Sequence, residues 1–265
     1  MGFWHNATKI VFARDPYSRL YSAYVDKFFL PDFWASGARI KRLVRNNVTV
    51  ETSCGHDVTF EEFLRYVIHA EETGQYIHEF VDDHWQPVTR LCQPCDMSYD
   101  IIAKQETFSK DRDFIVDKLG ISSILPTSQS ISKDDTNKDA INQTIDTYWG
   151  VVKFKKPCVS QLELAERFWR SYQIQGYLPS SLKFPEQMLP KDSDDIKEDF
   201  RKLALAMYES NKPSNGSWKQ QRLDEMTKAY KDIPTPVMEK IKLYFRKDFE
   251  LFSYEMNPNH LYSYR

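Results

Sequence analysis

The stretch Lys9-Ile10-Val11-Phe12-Ala13-Arg14-Asp15-Pro16-Tyr17-Ser18-Arg19-Leu20-Tyr21-Ser22-Ala23-Tyr24 holds the change of periodicity that decides the fold. Ile10 to Ala13 is a short apolar run with β-branched members, the composition of a buried strand. The run stops at Arg14. Asp15 suits a helix N-cap, because its carboxylate accepts an early backbone amide, and Pro16 suits the first helical position. Leu20, Ala23, Tyr24, Lys27 and Phe28 then recur at helical spacing to about Leu30. Strand, tight turn, helix is the building unit of an α/β fold. A helix start presents amides and a partial positive charge, which favours a phosphate, and Arg14 at the strand end adds a charge-assisted, bidentate donor. Ser22, about two turns into the helix, brings a hydroxyl toward the same anion. Arg19 on an adjacent face either helps or braces the turn. The same residues also allow a plainer reading, a local Arg14–Asp15 ion pair above a well-capped helix.

Working outward, Thr59-Phe60-Glu61-Glu62 is a capping box, and Phe60, Phe63, Leu64, Val67 and Ile68 form the apolar stripe of the helix it opens. Tyr99 to Ala103 reads as a second buried strand, followed by a helix from about Phe108 to Leu119 that Gly120 closes. Pro126 to Lys138 is rich in Ser, Asp and Lys and is expected to be an exposed loop. Helical patterns return at about 161–172, 193–209, 218–230 and 236–252. The expected architecture is a parallel sheet with an added helical layer: one domain over 1–265, with 126–232 as an insertion.

At 265 residues the chain is long enough to bury a sizeable core. A net charge of -2 argues against a general nucleic-acid coat. No apolar run is long enough to span a membrane, and Met1 to Lys9 lack the apolar stretch of a signal peptide. Yet N-x-S/T triplets occur at Asn6, Asn47, Asn142 and Asn215, which point to a glycosylated, lumenal protein. A targeting segment upstream of Met1 reconciles the two. Of the cysteines, Cys92-Gln93-Pro94-Cys95 lacks a second pair to complete a zinc site, since Cys54 and Cys158 are isolated. Structural disulfides are favoured, with three possible pairings.

The opening segment resembles the 3′-phosphate-binding motif of sulfotransferases that use 3′-phosphoadenylyl sulfate. It is most similar to the Golgi carbohydrate sulfotransferases of the chondroitin/dermatan type, whose segment has the form R-D/E-P-F-x-R-L-x-S-A-Y-x-D-K-F. Arg14-Asp15-Pro16, Arg19-Leu20, Ser22-Ala23-Tyr24 and Asp26-Lys27-Phe28 match, with Tyr17 in place of Phe. A second block is His84-Trp85-x-Pro87, then Leu91-Cys92-x-Pro94-Cys95, Tyr99-Asp100 and Lys104-x-Glu106-Thr107. A third is Tyr244, Asp248-Phe249, Leu251-Phe252 and Tyr254-Glu255 near the end of the chain. The resemblance implies an α/β, sulfotransferase-like (P-loop-related) central parallel sheet flanked by helices, with a helix-rich C-terminal half. It implies that Arg14, Asp15, Pro16, Tyr17, Ser18, Arg19, Leu20, Tyr21 and Ser22 form the donor's binding segment, with Arg14 and Ser22 on the 3′-phosphate. The expected reaction is sulfuryl transfer from 3′-phosphoadenylyl sulfate to a glycan or glycosaminoglycan hydroxyl, without a metal, in a type II Golgi membrane protein anchored upstream.

Sulfuryl transfer needs a base for the acceptor hydroxyl, and His84 is the candidate, because an imidazole titrates near working pH. Asp82, Asp83 and Glu106 are rivals. Lys104 and Glu106 are more simply read as a buried ion pair bracing the sheet. His56 and His69 read as surface residues, and Phe168-Trp169-Arg170-Ser171-Tyr172 either face a sugar or belong to the core. The family's 5′-phosphosulfate loop belongs on a strand and helix upstream of Arg14, where this sequence has too few residues. The chain is therefore read as N-terminally truncated. The alternative is an inactive, sulfotransferase-like protein that binds glycan or nucleotide.

Overall fold

The computed structural model describes residues 7–45, 54–74, 82–125, 132–151, 158–190, 195–212 and 217–262. In chain order the elements are β1 (Ile10–Ala13), α1 (Pro16–Tyr24), α2 (Trp34–Val44), α3 (Phe60–Thr73), α4 (Val88–Cys92), α5 (Pro94–Met97), β2 (Ile101–Lys104) and α6 (Phe108–Lys118). Then follow α7 (Lys133–Tyr148), α8 (Gln161–Ile174), α9 (Lys197–Ser210), α10 (Ser217–Lys231), α11 (Thr235–Tyr244), α12 (Arg246–Leu251) and α13 (Asn259–Tyr262). No helix among the described residues is long and apolar enough to cross a membrane. The chain forms two compact units interleaved in sequence. The first takes residues 1–21, 67–132 and 234–265; the second takes 22–66 and 133–233.

In the first unit β1 and β2 pair in parallel, with Ile10 opposite Ile101 and Ala13 opposite Lys104. Strand alternation sends Val11 and Ala13 into a cluster with Val88 and Phe252, while Ile101 and Ala103 pack on Ile115 of α6. Phe12 and Ile102 were expected in buried strands, but they lie on opposite faces of the strand pair and are 44% and 48% exposed. Parallel strands are normally covered on both faces, so these two exposed apolar residues depart from the rule. The N-cap expectation holds: Asp15 accepts the Ser18 amide at 2.8 Å. Gly120 ends α6 with φ +66°, a conformation that favours glycine.

The second unit is a helical body. The capping box holds, with the Glu62 amide on the Thr59 hydroxyl at 3.2 Å and the Thr59 amide on the Glu62 carboxylate at 2.8 Å. The core gathers Trp34, Ile141, Ile145, Trp149, Phe168, Trp169, Tyr172 and Phe200. Phe168, Trp169 and Tyr172 are thus core side chains, at most 2% exposed, and not sugar platforms. The loop expected over 126–138 is corrected from Lys133 onward, where α7 begins; residues 126–131 lie outside the described residues. Asp134 and Asp135 sit in its first turn, where they complement the helix dipole, and Ile141 and Ile145 fall on one buried face. Cys54 and Cys158 form a disulfide with Cα atoms 5.5 Å apart, and Cys92 and Cys95 are thiols. Asn142 lies within α7 and accepts a hydrogen bond from Arg201 at 3.0 Å. The triplets at Asn6, Asn47 and Asn215 lie outside the described residues.

Candidate functional site

The C-terminal ends of β1 and β2 open side by side, where α/β sheets present their ligand-binding loops. Arg14 and Asp15 leave β1 there, and a short 3-10 turn, Gln105–Thr107, leaves β2. Arg14 is half-buried, and its Nε donates to the Ser18 hydroxyl at 3.1 Å, which lays the guanidinium along the first turn of α1. Glu106 bridges the two strand ends. One carboxylate oxygen accepts the Asp15 amide and the other accepts the Tyr254 hydroxyl, both at 2.9 Å. Lys104 lies 4.5 Å from the Tyr254 ring centroid and reaches the Ser253 carbonyl at 3.5 Å. The Lys104–Glu106 ion pair expected from the sequence is therefore replaced by a hydrogen-bonded bridge, because Glu106 turns toward α1 and Tyr254.

These contacts revise the expected grip on an anion. The amides of Tyr17 and Ser18 bond to the Asp15 carboxylate, and the Asp15 amide bonds to Glu106. The helix start already carries protein carboxylates, so the Asp15, Tyr17 and Ser18 amides are engaged within the chain. Burial, reinforced by the nearby Glu106 charge, pushes the Asp15 carboxyl up to about 6, against the amide bonds and the Arg14 charge that pull it down. Burial first, then the hydrogen bond to Glu106, drives the Tyr254 hydroxyl far above its ordinary value. Tyr17 and Leu20 are fully buried. The Tyr17 hydroxyl lies 2.8 Å from both the Met256 carbonyl and the Tyr262 hydroxyl, so these two residues anchor the segment from below. Pro16 is buried; Tyr21 and Ser22 are half-buried, Ser22 two turns along α1.

Arg19 spans from α1 to the loop that carries His84. Its guanidinium donates to the Asp83 carbonyl at 2.6 Å and to the Gln86 carbonyl, gripping the loop on both sides of His84. Burial pulls its pKa below the ordinary value, and the Asp248, Cys92 and Asp83 charges oppose that shift. Arg19 is a brace. Within the loop, Asp82 accepts the His84 amide at 2.8 Å and also meets the His84 ring through Nδ1. His84 is exposed and Trp85 is 2% exposed, so one residue pins the loop while its neighbour faces out. From the chain's far end, Asp248 accepts the Val88 amide at 2.7 Å, the Thr89 amide at 2.9 Å and the Thr89 hydroxyl at 2.5 Å. Tyr17 packs on Phe249 with ring centroids 5.2 Å apart.

Three blocks distant in sequence are thus tied together, the first to the second through Arg19 and the second to the third through Asp248. Sequence reasoning missed Asp248 as the support of the loop and Asp82 as the partner of His84. The second of these had a signal, an acid two residues from a histidine. Among the described residues no group of His, Cys, Asp and Glu is arranged to hold a metal ion.

A model of the sulfotransferase family matches residues 3–170, more than half the chain. Mouse carbohydrate sulfotransferase 11 is 38% identical over 122 residues, 44% of this chain and 34% of its own length. Zebrafish carbohydrate sulfotransferase 14 is 36% identical over 115 residues, 42% of this chain and 30% of its own. Human carbohydrate sulfotransferase 9 is 35% identical over 117 residues, 43% and 25% of the two chains. The matched part is about a third or less of each relative's length. No solved structure matches the chain.

Proposed function

Because the chain belongs to the sulfotransferase family, we propose that it transfers a sulfuryl group from 3′-phosphoadenylyl sulfate to a hydroxyl of a glycan. The observation that supports this reading is that the Arg14, His84 and Asp248 blocks, far apart in sequence, are hydrogen-bonded to one another, with Arg14 at the end of a parallel strand pair. The donor fits the residues present at its 3′-phosphate: a half-buried arginine oriented by Ser18, with the Ser22 hydroxyl two turns on. The donor supplies the sulfuryl group and a phosphate leaving group. The chain's own part is to hold and to move a proton. Arg14 and Ser22 fix the 3′-phosphate through charge-assisted and hydroxyl hydrogen bonds.

His84 acts as the base. With its Nδ1 hydrogen on the Asp82 carboxylate, Nε2 carries the lone pair that takes the acceptor hydroxyl's proton as that oxygen bonds to sulfur. Asp82 orients the ring, and Arg19 and Asp248 hold the loop in place. The glycan acceptor follows from the names of the relatives, and a Golgi lumenal location from the family resemblance. The Cys54–Cys158 disulfide supports an oxidising compartment. The test is a sulfate-transfer assay of the full-length protein against a panel of glycans. Transfer to at least one glycan, abolished in His84→Ala, is expected. Nucleotide binding with no transfer to any glycan would replace the enzyme with a binding protein.

A further inference from the structure

The second unit contains a cavity of about 560 Å³, within the usual range of small-molecule sites. Its wall includes Arg167 and Glu163 of α8, Phe29, His56 and the segment Ser180–Phe184. Ser180–Phe184 lies beyond the residues matched by the family model. Arg167 is held by a carbonyl and two aromatic rings. One Nη donates to the Phe29 carbonyl at 2.9 Å, and the guanidinium carbon lies 5.0 Å from the Phe29 ring centroid and 5.2 Å from that of Trp34. Among the described residues no carboxylate reaches it within salt-bridge distance, whereas Arg45, Arg170 and Arg201 of the same unit each meet one. Burial pulls its pKa below the ordinary value, against the Tyr24, Asp57 and Glu163 charges that raise it.

His56 is a second sign of a missing partner. It was expected at the surface, yet it lines the cavity with its ring 5.9 Å from Trp34, and its Nδ1 is buried with no hydrogen-bond partner. Buried polar atoms in folded proteins are nearly always satisfied, so an orphan beside a cation that no carboxylate contacts marks this wall as a candidate binding surface. The carboxylates of the wall narrow the class. Glu163 is engaged by the Ser160 amide at 2.7 Å and hydroxyl at 2.9 Å, and Glu166 is exposed. Both accept from hydroxyl groups, and the wall also holds Lys183 and Arg170, the latter paired with Glu225.

We propose that this cavity binds a monoanionic sugar, with its carboxylate or sulfate ester on Arg167 and its hydroxyls toward Glu163, Glu166 and Ser181. The saccharide part of this assignment rests on the glycan reading above. Arg167 gives a planar donor pair for either oxyanion, so carboxylate and sulfate ester share the same chemistry.

Titration of the full chain, without any donor nucleotide, decides it by calorimetry. The probes are glucuronate, a glucose sulfate ester, glucose and inorganic sulfate. Saturable binding of glucuronate, of the sulfate ester, or of both is expected, and the pattern identifies the source of the anion. Arg167→Gln should weaken it by at least about tenfold, the loss of a charge-assisted contact. Since Arg167 also ties Phe29 and Trp34, Ser181→Trp provides a second variant that fills the wall and leaves those contacts alone. It should also abolish binding while keeping the wild-type melting temperature. No saturable binding of either acid, equal binding of glucose, or undiminished binding in a folded Ser181→Trp variant would overturn the assignment. Failure of the transferase reading would show in the transfer assay and leaves these titrations interpretable.

Discussion

Replacing Asp248 by alanine should cost the first unit about 3–5 kcal/mol of stability. The side chain is 1% exposed and accepts hydrogen bonds from the Val88 amide, the Thr89 amide and the Thr89 hydroxyl. Hydrogen bonds to a charged group contribute about 1.5–3 kcal/mol each when one partner is removed and the other stays buried. The Val88 amide sits in the cluster of Val11, Val88 and Phe252 and has no water to turn to. Thr89 is half-buried, so its amide and hydroxyl rehydrate in part, which brings the sum below three full bonds. Asp248→Asn keeps one acceptor oxygen and loses the charge, for about 1–2 kcal/mol. Urea unfolding followed through Trp85, 2% exposed in the same unit, measures the difference, and amide exchange over residues 85–92 should quicken in step. A loss below about 1 kcal/mol in Asp248→Ala, with unchanged exchange at Val88 and Thr89, would refute the claim that the C-terminal block supports the His84 loop.

Asp15 gives a pH signature. Its folded carboxyl ionises at about 6 against an ordinary 3.8, so between those values the folded chain keeps a proton that the unfolded chain has released. Stability from this group is therefore present below about pH 4 and is lost as pH rises through about 6; Asp15→Asn, which keeps a capping oxygen, should remove that slope and gain about 1 kcal/mol at pH 7.5, seen in melting temperatures at both ends of the range. The Cys54–Cys158 bond closes a separation of 104 residues, so Cys54→Ser should destabilise the second unit by about 4 kcal/mol. Alkylation of the unfolded, unreduced protein should label Cys92 and Cys95 and spare the other two. His84→Ala should lower turnover of the full-length enzyme by about a hundredfold or more with nucleotide affinity preserved, and normal turnover would reassign the base.

Much of the strand-turn-helix was legible because its determinants are local. β-branched residues before Arg14 and an Asp-Pro cap need no distant partner. The capping box at Thr59 and the glycine at 120 were legible for the same reason. Glu106 was not: its partners Asp15 and Tyr254 lie 91 and 148 residues away, and nothing at Lys104-x-Glu106 shows which way the carboxylate turns. Asp248 looked like one acid in a terminal motif, and only the fold brings it to residues 159 and 160 positions earlier. The head of α7 was misread because its Asp and Lys content resembles a loop, while the deciding residues, Ile141 and Ile145, come two turns later. Arg167 gave no signal, since a lone arginine on an amphipathic helix looks the same whether or not a carboxylate reaches it.

In the proposed mechanism Arg14 grips the 3′-phosphate of a sulfate donor. Calorimetric titration of adenosine 3′,5′-bisphosphate into the full-length protein and its Arg14→Ala variant tests it most directly. Saturable binding is expected, weakened in the variant by more than about 1.5 kcal/mol, roughly a tenfold rise in Kd. Equal affinity in a folded Arg14→Ala protein would contradict it.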